Sequence, residues 1–192
     1  MRNMTFKITI YSIFLFLLGF VTSCSSDDDH VVQPEHEHEE VSKIVLHFTN
    51  INKPSEIIEI PYEVPEGSTQ YPLAKINLPA GSYNVEAHLF AHENDQYHEI
   101  TEEIFKHDAD DHFIFYQILN GKGLTIAYTN NDYVDTAGNK LGYNTVWTVT
   151  DEANNLPVYL YLLHQPANKK QDAVSLQELG GNIDLEAHYQ LN

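Results

Sequence analysis

Arginine is almost missing from this chain: Arg2 is the only one, and Lys and Arg together number 10 against 28 Asp and Glu, a formal net charge of −18. Without the guanidinium fork that reads phosphate, and with so much negative charge, the sequence argues against nucleic-acid binding. Cations are its natural electrostatic partners. Cysteine is equally scarce, with Cys24 alone, so no intrachain disulfide and no cysteine metal cluster can form. No HExxH, CxxC or G-x-S-x-G occurs, and no nucleotide-binding glycine motif. Nothing here points to an enzyme or to an organic cofactor. No apolar run reaches the roughly 20 residues of a membrane-spanning helix.

What the sequence does hold begins with an address. Arg2 and Lys7 flank an apolar run from Ile8 to Phe20, followed by Val21-Thr22-Ser23-Cys24. A basic flank, a short apolar core and small residues mark a secretory signal over residues 1–23. The VTSC tetrapeptide resembles a bacterial lipobox, which implies that Cys24 becomes the acylated (palmitate-bearing) first residue of a lipoprotein. Once Arg2 and Lys7 leave with the leader, the net charge of −18 becomes −20. Residues 24–40, CSSDDDHVVQPEHEHEE, hold little that is apolar beyond Val31 and Val32, and read as a disordered acidic tether. Within it His36 and His38 are candidates for metal capture, with a solubilising spacer as the alternative. Ser25 to Asp29 also resembles the surface-export signal of Bacteroidota lipoproteins.

From Val41 to Asn192 short alternating runs rich in β-branched and aromatic residues are separated by Pro, Gly, Asn and Asp. That pattern predicts an all-β domain over 41–192. Strands are expected over 43–49, 56–62, 73–78, 83–91, 112–119, 123–129, 143–150, 157–164 and 182–191. Ile44, Leu46 and Phe48 should share a buried face, as should Tyr83, Val85, Ala87 and Leu89. Pro61 puts its strand at an edge. Asn120-Gly121 predicts a hairpin joining the strands on either side of it. Between Ile100 and Asp110 the period of two is lost and one or two helical turns are expected. Asn130 to Gly142 lacks the EF-hand spacing and reads as a Gly-containing hairpin loop. The fold class is an antiparallel β-sandwich of immunoglobulin-like type with at most one short helix, a small barrel being the alternative.

The chemistry concentrates between His88 and His112, HLFAHENDQYHEITEEIFKHDADDH. Imidazoles suit zinc and copper, and carboxylates can complete the shell. His88, His92, His98, His107 and His112 are therefore the candidate metal ligands, with Glu103 or Glu86 as the carboxylate. Glu86 and His88 lie on one strand face about 6.6 Å apart, close enough to share a site. An acidic, His-bearing solvated connection is the competing reading.

HEHEEV, EITEEIFKHDADDHFIFYQ, DTAGNKLG, VYLYLLHQP and GGNIDLEAHYQ together resemble small Bacteroidota outer-membrane lipoproteins labelled "type 1 periplasmic binding fold superfamily". That label denotes a two-lobed α/β fold, whereas the strand pattern here calls for a β domain. The resemblance implies an accessory to outer-membrane import, with a TonB-dependent receptor as partner. The sequence thus supports a lipid-anchored outer-membrane protein, on the periplasmic face or the cell surface, that captures a divalent metal, zinc or copper. The alternative is a glycan- or protein-binding module presenting Tyr143, Trp147, Tyr159 and Tyr161.

Overall fold

A computed structural model describes residues 40–63 and 71–192. Residues 1–23, expected to be a signal peptide, and Cys24, His36 and His38 lie outside the described residues.

Among the described residues ten strands form two sheets. The first runs β2 (Ile57–Glu63), β1 (Val41–Asn50), β4 (Gly81–Glu93), β8 (Asn144–Val149), β7 (Leu124–Tyr128), with β5 (Gln96–Glu99) beside β4. The second runs β3 (Leu73–Ile76), β10 (Asn182–Leu191), β9 (Leu156–His164), β6 (His112–Ile118). The chain is an all-β sandwich. Every pairing is antiparallel except β3 with β10, which is parallel. Inward alternation builds one core: Ile44, Leu46 and Phe48 from β1 and Val85, Ala87 and Leu89 from β4 meet Val158, Leu160 and Leu162 from β9 and Ala187 and Tyr189 from β10. Trp147 fills its centre, edge-on to Phe48 at 5.2 Å and to Tyr116 at 5.8 Å. Pro61 does sit on an edge strand, opposite Val45.

The Asn120-Gly121 hairpin does not form. β6 pairs with β9 and β7 pairs with β8, so the chain crosses from the second sheet to the first between them. Asn120 takes a left-handed turn (φ 48°), and a side chain at Gly121 would collide with Leu156. The glycine answers to packing at this crossing rather than to a two-residue turn. β5 was not expected from the sequence; Asn94 and Asp95, both left-handed, turn the chain back to pair it with β4. The stretch after Ile100 is helical as expected. It forms α1 (Glu103–His107), a single wide turn closed by the Asp108 N–H donating to the Glu103 carbonyl at 2.9 Å. A second short helix, α2 (Leu176–Leu179), covers Phe113, Phe115, Tyr161 and Leu163 on the outer face of the second sheet.

Candidate metal centre

The start of β6, the end of β9 and the start of β10 lie side by side, and this puts three candidate ligands at one point. His112 and His164 are directly opposed in the β6–β9 register. Both follow the alternation that sends Ile114 and Leu162 into the core, so both imidazoles point to the inner side of the sheet. Their rings stack at 5.1 Å, tilted by 18°. The third member is Asp184, which occupies an irregularity in β10: Ile183 pairs with Leu163 and Leu185 with Leu162, leaving Asp184 as the extra residue of a bulge. Bulges re-aim a side chain that strict alternation would send to the other face. Asp184 Oδ2 is 3.4 Å from His112 Nε2 and its Oδ1 is 3.8 Å from His164 Nδ1. One ligand atom from each residue lies within 4.8 Å of the other two, and no other three such residues do so among the described residues.

The tautomer of His112 follows from its other nitrogen. Nδ1 is 3.1 Å from the Asp108 carbonyl, which can only accept, so Nδ1 carries the hydrogen and donates. In the neutral ring, the form that ligates a metal, Nε2 then presents a lone pair toward the Asp184 carboxylate. Four ligands on zinc at the usual bond lengths stand about 3.4 Å apart. The Nε2 to Oδ2 spacing matches this, and a small inward turn of His164 completes it. The His112 side chain is 2% exposed, that of His164 18% and that of Asp184 29%, so the point is dry on one side and open on the other.

The loop that offers the Asp108 carbonyl is clasped from two directions. Lys169, with its side chain 5% exposed, donates to the carbonyls of Ala109 and Asp110, both at 2.8 Å, and pairs with Asp135 at 3.2 Å. The Asp110 carboxylate accepts the Thr136 N–H at 2.8 Å, and the Gln165 N–H donates to the Asp111 carbonyl at 2.6 Å. Burial alone would raise the Asp135 carboxyl, but hydrogen bonds from Asn139 and Lys169 outweigh it and hold it below its ordinary value of 3.8. On the β10 side Gly181 (φ 82°) passes so close to the His164 carbonyl that an added Cβ would stand 2.6 Å from it.

Of the six residues singled out from the sequence, His112 alone belongs to this group. His88 lies on the outer face of the first sheet, hydrogen-bonded to Glu99 at 2.7 Å. His92 packs its ring on Tyr97 at 4.9 Å, while His98, Glu103 and His107 are exposed. Among the described residues no three of them bring ligand atoms within 4.8 Å of one another. His164 and Asp184 were not singled out; the available signals were a histidine closing the apolar run VYLYLLH and an aspartate just after the Gly180-Gly181 break. Among the aromatic residues proposed as a binding surface, Trp147 is fully buried and Tyr161 is 6% exposed. Comparison with family models, curated proteins and solved structures finds no match for this chain.

Proposed function

We propose that this domain binds a divalent transition-metal ion, zinc or copper, through His112 Nε2, His164 Nδ1 and Asp184. The observation that carries this reading is the convergence of two imidazoles and a carboxylate from three adjacent strands within 4.8 Å. Three protein ligands leave a further coordination position for water or an incoming ligand, on the side where Asp184 meets solvent. The hydrogen bond from Nδ1 to Asp108 is the outer-shell contact that fixes ring orientation in metal-binding histidines. The signal-like leader, the lipobox-like VTSC and the family resemblance support the wider role: a lipid-anchored outer-membrane protein that captures the ion as accessory to an importer. The glycan- or protein-binding alternative has less support, because Trp147 and Tyr161 are withdrawn into the protein.

The test is a calorimetric titration of the full chain with zinc chloride, with His30, His36 and His38 changed to Ala so that the tether is silent. His164→Ala and Asp184→Asn should each abolish binding at the centre while leaving the far-ultraviolet circular dichroism unchanged. Zinc uptake indifferent to both substitutions overturns the assignment. Because ligating imidazole must be neutral, binding should also weaken as the pH falls through about 6.5.

A further inference from the structure

The outer face of the first sheet holds a second gathering of imidazole and carboxylate that the centre on β6, β9 and β10 does not use. It forms where β4 changes partner. β8 pairs with β4 up to Glu86, opposite Asn144, and β5 begins at Phe90, opposite Glu99. Between these points the β4 backbone is satisfied from elsewhere: the Ala87 N–H donates to the Tyr143 carbonyl at 3.0 Å, and the Leu89 N–H to the Thr101 hydroxyl at 2.9 Å. His88 sits on this seam. The cross-strand register sets His47 between Glu59 on one side and Glu86 on the other. Its ring lies 4.2 Å from that of His88.

Each member of the His88–Glu86 pair is held by its far atom. The Glu99 carboxylate, itself taking the Thr101 hydroxyl at 2.9 Å, accepts from His88 Nδ1 at 2.7 Å. Burial alone would raise the Glu99 carboxyl, but the hydrogen bonds from His88 and Thr101 hold it below its usual range, so it stays an acceptor. Asn144, whose side-chain oxygen takes the Thr129 hydroxyl at 2.7 Å, donates to Glu86 Oε1 at 3.2 Å. This leaves His88 Nε2 and Glu86 Oε2 facing each other at 3.8 Å. Nε2 is buried and makes no hydrogen bond. In the neutral ring, with Nδ1 donating to one anion, Nε2 turns a lone pair toward a second anion, and a metal ion or a proton between them relieves that arrangement. A carboxylate behind the imidazole is the support that metal-ligating histidines show. The Glu86 end opens onto a hollow lined by Thr49, Asn84, Tyr143 and Asn144, through which an ion can enter.

We infer that His88 Nε2 and Glu86 Oε2 form a second divalent-metal site, for zinc or copper, with His47 as the third ligand. His47 pairs with Glu59 at 3.7 Å and must exchange that contact to turn its ring toward the ion. The two centres lie on different sheets and share no ligand, so either can stand without the other.

The experiment counts zinc ions per chain by calorimetry in the full chain carrying His30→Ala, His36→Ala and His38→Ala. Two ions are expected. His88→Ala and the milder Glu86→Gln should each reduce the count to one, and His112→Ala combined with His88→Ala should reduce it to none. Glu99→Ala, which removes only the support behind His88, should weaken the second ion by about tenfold and leave the first untouched. With the centre on β6, β9 and β10 disabled by Asp184→Asn, zinc should shift the ring NMR signals of His47 and His88. A count unaffected by His88→Ala and Glu86→Gln, or ring signals that ignore zinc in the Asp184→Asn chain, overturns the second site. Loss of binding only in His112, His164 and Asp184 variants would leave the first centre intact and refute this one.

Discussion

On the second sheet one of the two imidazoles is held by the backbone: His112 leans on the Asp108 carbonyl, and the loop behind it is tied down by a lysine with its side chain 5% exposed. On the first sheet the imidazoles are held by other side chains, Glu99 behind His88 and Glu59 beside His47, all at the surface. Backbone support ties the first arrangement to the stability of the fold, so damage to it should be felt as unfolding. Side-chain support makes the second arrangement adjustable, since each of its carboxylates can be replaced with little cost to the sandwich. Buried polar contacts carry large penalties when one partner is removed, whereas exposed ion pairs contribute little.

Removing the clasp gives the sharpest test of this difference. Lys169→Ala leaves the Ala109 and Asp110 carbonyls without this buried donor and takes the paired ammonium from Asp135, which keeps its bonds from Ala137 and Asn139, and should cost about 3 kcal/mol in urea unfolding. In the same variant the His112 ring signal should move while those of His47 and His88 stay in place. Gly181→Ala comes next. A side chain at φ 82° pressing on the His164 carbonyl should cost about 2 kcal/mol and weaken zinc binding by the His112 centre alone. A smaller effect is expected from Asp135→Asn on the acid side of the stability profile. The Asp135 carboxyl has a lower pKa folded than unfolded, so the stability it contributes is present above about pH 4 and is lost as the pH falls through the folded value. The Asn variant should therefore lose less stability between pH 5 and pH 2 than the parent, as read by urea midpoints. Glu99→Ala should have the least effect on folding, under about 1 kcal/mol, while shifting the His88 ring signal and leaving His112 unmoved. If Glu99→Ala destabilises as much as Lys169→Ala, the contrast between the two faces is wrong.

Much of this fold is legible in the alternation of residues. Ile44, Leu46 and Phe48 face the core, as their spacing requires, and the strand beginning at Tyr83 buries every second residue. The sheet to which each strand belongs is not legible in that way. Asn120-Gly121 carries the composition of a hairpin turn, yet the inner faces of β6 and β7 are each satisfied by a different sheet, and tertiary packing overrode the local signal. The candidate metal centre was legible in one residue of three. A dense run of histidines draws attention, but strands carry neighbours in sequence apart, about 3.3 Å per residue and to alternate faces. His112, His164 and Asp184 are brought together by register and by one bulge, neither of which a single strand's composition encodes.

The parallel pairing of β3 with β10 bears on the order in which the chain can fold. Leu73 finds its partner at His188, and β10 lies between β3 and β9 in the middle of its sheet. Until the final strand is available, β3 has no neighbour to pair with and Leu156 to Leu163 lack half of their ladder. Such distant pairing makes for slow assembly, because the entropy of closing a long loop is lost before any contact rewards it. A chain emerging from its N-terminal end therefore holds the first sheet's β1, β2 and β4 early but cannot complete the second sheet until β10 arrives. Asp184 is carried on that strand, so the centre on β6, β9 and β10 forms only once β10 has paired.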